Sequence, residues 1–411
     1  MSVLFLTWDG PTTAYLESLY FPVLSRLGTE AHVLQFTFAP KAAVERVRAA
    51  ALDAGVGFTA VPSLRLRPLS ASTLAMIGAG APILAREVRR RGATTLVARS
   101  IIPAMMTLLA RPLLPKGLWI VFDADGFGQD EKVEFAGWNP QGPMYRAWRD
   151  AEAQMIRVAD AVLTRTERAR DVLLARAGAG TPAEKILVVP NGTDEARFTP
   201  GTDAERRGTL RALWVSDDAP VLVFCGSLGP QYFPELMLDL LEAVRANRPE
   251  TRLLALTGAP ELLREPAGAR GIPETHLIVR TAPPSDVPAL LAAGDCGLAF
   301  RAPSFSQVGV SPIKVGEYLL CGLPVVTNRG VGDLDSVLDR SAPAFVADRP
   351  ASSIVEPAAR WFVHDVLGRR EECRERARAL GLSRFGIEQM AAGYRRALAP
   401  AETGDDESGP S

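Results

Sequence analysis

The sequence predicts an α/β protein built from two doubly wound, Rossmann-like domains. Short runs that are apolar on both faces recur between amphipathic helical stretches, the pattern of buried parallel strands joined by crossover helices. That rhythm stops near residue 200 and restarts, so the strands fall into two sets. At 411 residues the chain is also too long for one ordinary core.

In the first half, residues 3–7, 31–36, 95–98, 118–122, 161–164 and 186–189 read as strands, and 13–27, 40–54 and 143–158 as helices. Pro190-Asn-Gly-Thr-Asp194 is a turn cluster. Residues 200–220 are polar and read as a linker with one short helix near 204–214. The second set of strands is 221–225, 252–257, 277–279, 296–300 and 324–327. Helices are expected at 234–246, 287–293, 313–321, 352–367 and 369–380. The domains are therefore drawn at 1–190 and 201–367, with a tail at 401–411 whose acidic, small-residue composition predicts disorder.

Composition narrows the function. The 46 basic and 47 acidic residues leave a net charge of −1, so there is no global field to hold nucleic acid. Cys225, Cys296, Cys321 and Cys373 lack metal or redox spacing and read as small buried residues. His32, His276 and His364 stand in no catalytic frame, and no Walker loop, Gly-x-Gly-x-x-Gly or Ser-His-Asp arrangement occurs. The chain opens directly into an apolar strand without a basic leader, and no apolar run reaches the roughly 18 residues that span a bilayer. The expectation is a cytoplasmic protein. Arg86, Arg89, Arg90 and Arg91 follow the apolar stretch 74–85, which suits either peripheral contact with the inner membrane face or a solvated helix end.

The strongest chemical signal is Ser311-Pro-Ile-Lys-Val-Gly-Glu317-Tyr-Leu-Leu-Cys-Gly322-Leu-Pro324-Val-Val. Ser311 reads as an N-cap and Pro312 as the first helical residue. The first turn then offers free N–H groups and the positive end of the helix dipole, a site for a diphosphate. Lys314 adds a point charge in that turn. Glu317, three residues on, shares its face and suits the vicinal hydroxyls of a ribose.

This segment resembles the donor-binding motif of the retaining GT-B glycosyltransferases, the bacterial polysaccharide type of glycosyltransferase family 4. Val189-Pro-Asn-Gly-Thr-Asp194 with Phe198 resembles that family's interdomain signature. Phe224-Cys-Gly226-Ser-Leu-Gly229 resembles its first C-domain strand and phosphate-facing loop, and Ala293-Gly-Asp295-Cys-Gly-Leu its strand before the donor loop. The resemblance implies two facing domains across a cleft, with a last helix near 385–398 crossing back to the first. It implies a transferase taking a nucleotide-sugar as co-substrate, with retention, no metal and no other cofactor, and acting on a glycan, lipid-linked or small-molecule acceptor. Two departures stand out. Gly309 occupies a position where many members carry a Glu, and Gly229-Pro-Gln-Tyr-Phe-Pro-Glu235 lacks their Arg and Lys. The diphosphate then falls to the backbone of Val310, Ser311, Pro312 and Ile313, to Lys314 and to Arg301, beside Gly226.

The first half is expected to hold the acceptor. Asp9-Gly10, Arg99, and Asp123-Ala-Asp125 follow strands at the carboxyl edge, where site residues collect, and Glu131 lies on the next loop. Lys314, Asp125 and Arg99 are the expected catalytic residues. Asp123 and Asp125 also match the metal-binding Asp-x-Asp of another glycosyltransferase fold, but the nucleotide signature lies in the other half of the chain. The rival readings are a non-catalytic sugar-nucleotide-binding protein, or a sugar-nucleotide epimerase on the same scaffold.

Overall fold

The computed structural model describes residues 1–9, 15–63, 69–338 and 343–398. The tail at 401–411 and Gly10 lie outside them. Among the described residues thirteen strands form two sheets. The first holds β1 (Ser2–Asp9), β2 (Glu30–Thr37), β3 (Gly57–Pro62), β4 (Thr95–Arg99), β5 (Trp119–Asp123), β6 (Ala161–Thr164) and β7 (Ile186–Val188). Its order is β3-β2-β1-β4-β5-β6-β7. The second holds β8 (Val221–Cys225), β9 (Arg252–Leu256), β10 (Leu277–Arg280), β11 (Cys296–Ala299), β12 (Val325–Asn328) and β13 (Ala344–Ala347), in the order β10-β9-β8-β11-β12-β13. The ladders are parallel, as the runs apolar on both faces require. In each sheet the strand order reverses beside the first strand, and such switch points open a crevice beyond the carboxyl ends.

Two edge strands, β3 and β13, escape sequence analysis because both are only half-buried and carry no continuous apolar signal. Residues 352–367 form a helix Val355–Trp361 flanked by a 3-10 turn and a π-helical segment. The expected helix at 13–27 is described from Tyr15 on, as π-helical Leu16–Tyr20 followed by Phe21–Ser25. The second domain extends past residue 367, because helix Arg370–Phe385 packs on Ile313–Leu320 and buries Ala377 and Phe385 in that core.

The crossing helix Ile387–Leu398 returns to the first domain. Ile387, Met390, Tyr394 and Leu398 pack with Val3, Phe5 and Val97. Where it enters, the Ile387 N–H donates to the carbonyl of Thr193, pinning the helix to the interdomain segment. Among the described residues no helix is long and apolar enough to cross a membrane. Three of the four clustered arginines have partners within the domain: Arg89 donates to the Leu113 carbonyl, and Arg90 and Arg91 to Glu87.

Candidate active site

The helix Ile313–Leu320 builds the second-domain wall of the cleft. Pro312, not Ser311, is its N-cap residue, and Ser311 makes no capping bond. The Ser311 hydroxyl is claimed elsewhere. It accepts from the Asn191 N–H at 3.1 Å, while the Ser311 carbonyl accepts from Asn191 Nδ2 at 2.9 Å. Asn191 therefore ties the interdomain segment to the donor loop. The Val310 N–H is also spent, donating to the Gln307 carbonyl at 3.2 Å. Pro312 has no N–H, so the amides open to an anion here narrow to those of Ser311, Ile313 and Lys314.

Lys314 runs from the cleft into an aromatic slot. Its Nζ sits 4.3 Å from the Phe224 ring centre and 4.2 Å from that of Tyr232. That nitrogen is enclosed and has no hydrogen-bond partner. Burial lowers its pKa from 10.5 to about 7. Glu317, one turn on, is raised by burial from 4.5 to about 7, against the pull of Lys314 and Arg197. Gly226 faces the same ammonium with φ +135°, and a Cβ there would stand 3.0 Å from Nζ. Only glycine lets the backbone approach so closely. Arg301 is less free than expected: its guanidinium donates to Gln307 and, at 3.3 Å, to the Tyr232 hydroxyl.

The first-domain floor is a buried ion network. Asp123 is fully buried and receives Arg165 through both oxygens, at 2.6 and 2.8 Å, together with the hydroxyls of Tyr20 and Tyr394. It is closed to an acceptor, which corrects the expectation for this residue. The reason is tertiary: β5 ends beside Arg165, and the crossing helix supplies Tyr394. Asp9 is likewise turned inward, holding Thr7 at 2.8 Å and Gln35 at 3.3 Å, with Arg99 at 3.7 Å. Asp125 does reach the cleft. It adopts φ +57°, a conformation that Asp tolerates better than most residues. Arg99 holds its carboxylate at 2.8 Å and Arg165 at 3.3 Å. Together these cations keep Asp125 ionised despite burial. Both carboxylates of the Asp-x-Asp are thus engaged by arginines. Among the described residues no cluster of three or more His, Cys, Asp or Glu side chains is placed to hold a metal ion.

A cavity of about 570 Å³ joins the two walls. It is lined by Arg99, Asp125 and Glu131 of the first domain and by Gly226, Arg301, Val310, Ser311, Pro312, Ile313, Lys314 and Glu317 of the second. Asp9 and Asp123 are not part of that lining. Sequence analysis missed Arg165, Asn191, Tyr232 and Phe127. Arg165 follows β6 at the carboxyl edge, which was a usable signal; Tyr232 acquires its role from Lys314 and Arg301 of its own domain, and Asn191 and Phe127 from Ser311 and Phe305 across the cleft.

The two facing Rossmann-like domains, with the cleft between them, define the GT-B architecture. Residues 209–380 match the family model described as glycosyl transferases group 1. The chain is similar to a GDP-mannose-dependent α-(1-6)-phosphatidylinositol monomannoside mannosyltransferase of Mycolicibacterium smegmatis, 31% identical over 170 residues, 40% of this chain and 43% of that protein. It is also similar to a D-inositol 3-phosphate glycosyltransferase of Geodermatophilus obscurus, 30% identical over 244 residues, 56% of this chain and 50% of that protein. The chain thus spans about half the length of these curated relatives. In structure it resembles Anabaena HepE in complex with UDP and glucose, with a TM-score of 0.69 over 97% of this chain and 99% of that one, at 15% identity. That likeness speaks for the fold alone.

Proposed function

We propose that this protein is a glycosyltransferase that moves a sugar from a nucleotide-sugar to a glycan, lipid-linked or small-molecule acceptor, with retention and without a metal. One observation carries the reading: an enclosed lysine ammonium with no partner, at the start of a helix lining the interdomain cavity. An anion is the missing partner. A diphosphate there meets the first-turn amides and Lys314, and Glu317 one turn on takes the ribose hydroxyls. As the bond to the sugar breaks, charge builds on the diphosphate, and the same groups stabilise it without reorganising. The match of residues 209–380 to a glycosyl transferases group 1 model supports this assignment. Retention rests on the motif resemblance. Metal independence rests on Arg99 and Arg165 already neutralising the two aspartates. The protein is read as cytoplasmic, and the arginine-rich end of helix Leu69–Arg91 suits either a solvated helix end or peripheral contact with the inner membrane face.

The test is to supply UDP-glucose and GDP-mannose, with and without a chelator, and follow release of nucleoside diphosphate and the fate of the sugar. Release of UDP or GDP that survives the chelator is the expected result. Recovery of an epimerised nucleotide-sugar identifies the rival enzyme. Binding without turnover, even with acceptors present, identifies a non-catalytic binder.

A further inference from the structure

Among the described carboxylates that line the cavity, two, Glu317 and Glu131, have no cation within ion-pair distance, and Glu131 is the one on the first-domain side. Asp125 is paired with Arg99 and Arg165, and Glu152 with Arg149 and Arg176. Glu317 lies against the second-domain wall beside Lys314. Glu131 has a single long contact, 3.5 Å from Gln231 Nε2 of the facing domain. Its neighbour Lys132 feels the Glu131 charge but forms no ion pair with it, since that ammonium sits over the rings of Trp138 and Trp148, at 4.8 and 4.6 Å.

Glu131 is also held in place. It belongs to helix Gly128–Ala136, three residues before Glu134, and so shares its face. Glu134 accepts from the Ser306 N–H at 3.1 Å and from the Ser304 hydroxyl at 2.7 Å, docking this helix on the second domain. A side chain at position 309 of the second domain would press on the first domain. A Cβ on Gly309 would stand 3.0 Å from Cδ2 of Phe127, whose ring stacks on Phe305 with centres 5.7 Å apart.

Resting on the glycosyltransferase reading, we infer that Glu131 recognises the donor sugar across the cleft, accepting hydrogen bonds from two vicinal hydroxyls of a neutral hexose. A carboxylate offers two acceptor oxygens for such a pair. The same charge disfavours a uronic acid at this place.

Calorimetry with UDP against UDP-glucose, and GDP against GDP-mannose, tests the assignment. Glu131→Gln should leave the affinity for the nucleoside diphosphate within about twofold. It should weaken whichever nucleotide-sugar the protein binds by roughly 10- to 100-fold, the usual effect of losing a charged acceptor. Glu131→Asp, which keeps the charge and shortens the reach, should fall between. A merely structural role would move both ligands together, and equal losses for nucleotide and nucleotide-sugar, or none for either, overturn the inference. If no nucleoside diphosphate binds the wild-type protein, the underlying reading has failed and this one falls with it.

Discussion

Lys314 and Glu317 stand one helical turn apart, and burial brings each of them to about 7, from opposite directions. A nucleotide should change both. A diphosphate favours the ammonium of Lys314, raising its pKa, and ribose hydroxyls favour the ionised Glu317, lowering its pKa. At pH 8 the free protein holds Lys314 largely neutral and Glu317 largely ionised, so binding takes up a proton at Lys314. At pH 6 both groups are already protonated, so binding releases one from Glu317. Proton linkage should therefore change sign between pH 6 and pH 8. Calorimetry of UDP or GDP in two buffers of different ionisation enthalpy reads it directly. Lys314→Ala should abolish the uptake at pH 8, and Glu317→Gln should cut the release at pH 6. Uptake that persists in Lys314→Ala would mean another group meets the phosphates. This pair was legible in the sequence because its geometry is local, three residues on one helix face. The Ser311 cap was misread because Asn191, 120 residues earlier, claims its hydroxyl.

At the scale of elements, helix Gly128–Ala136 and the loop before Val310 form a latch across the cleft. Glu134 holds Ser304 and Ser306, Phe127 stacks on Phe305, and Arg176 lies over both rings at 4.5 and 5.3 Å. Nearby, Thr166 Oγ1 donates to the Val308 carbonyl at 2.6 Å, and Arg168 pairs with Asp335. Removing Glu134 costs the closed arrangement about 1–3 kcal/mol, the cost of unmaking charge-assisted hydrogen bonds. Glu134→Ala should therefore shift the free protein toward an open cleft, seen as a larger radius of gyration in solution X-ray scattering, and weaken nucleotide-sugar binding. Scattering identical to wild type would show that the other contacts hold the domains without it. No sequence signal marks Glu134, which is an ordinary exposed helix residue until the second domain faces it. Asp123 shows the converse. Its place at the carboxyl edge of β5 was legible, but not the buried Arg165 and Tyr394 that consume its carboxylate.

For the whole molecule, eleven of the strands were legible as apolar runs; β3 and β13 were not, being half-buried edge strands that lack that pattern. The restart near residue 200 was legible too, and the family resemblance implied the crossing helix, which ties the two halves together. What that arrangement adds is a shared cavity in which the second domain offers an unpartnered ammonium and the first a floor of neutralised charges. The central claim is that a nucleoside diphosphate sits on the second-domain wall of that cavity. A crystal structure with UDP or GDP bound tests it most directly. The account predicts phosphate oxygens within hydrogen-bond distance of Lys314 Nζ and of the Ile313 or Lys314 amide, with the ribose hydroxyls on Glu317. A nucleotide bound outside the cleft, or bound in it with its phosphates on Arg99 and Arg165 of the first domain, would contradict it.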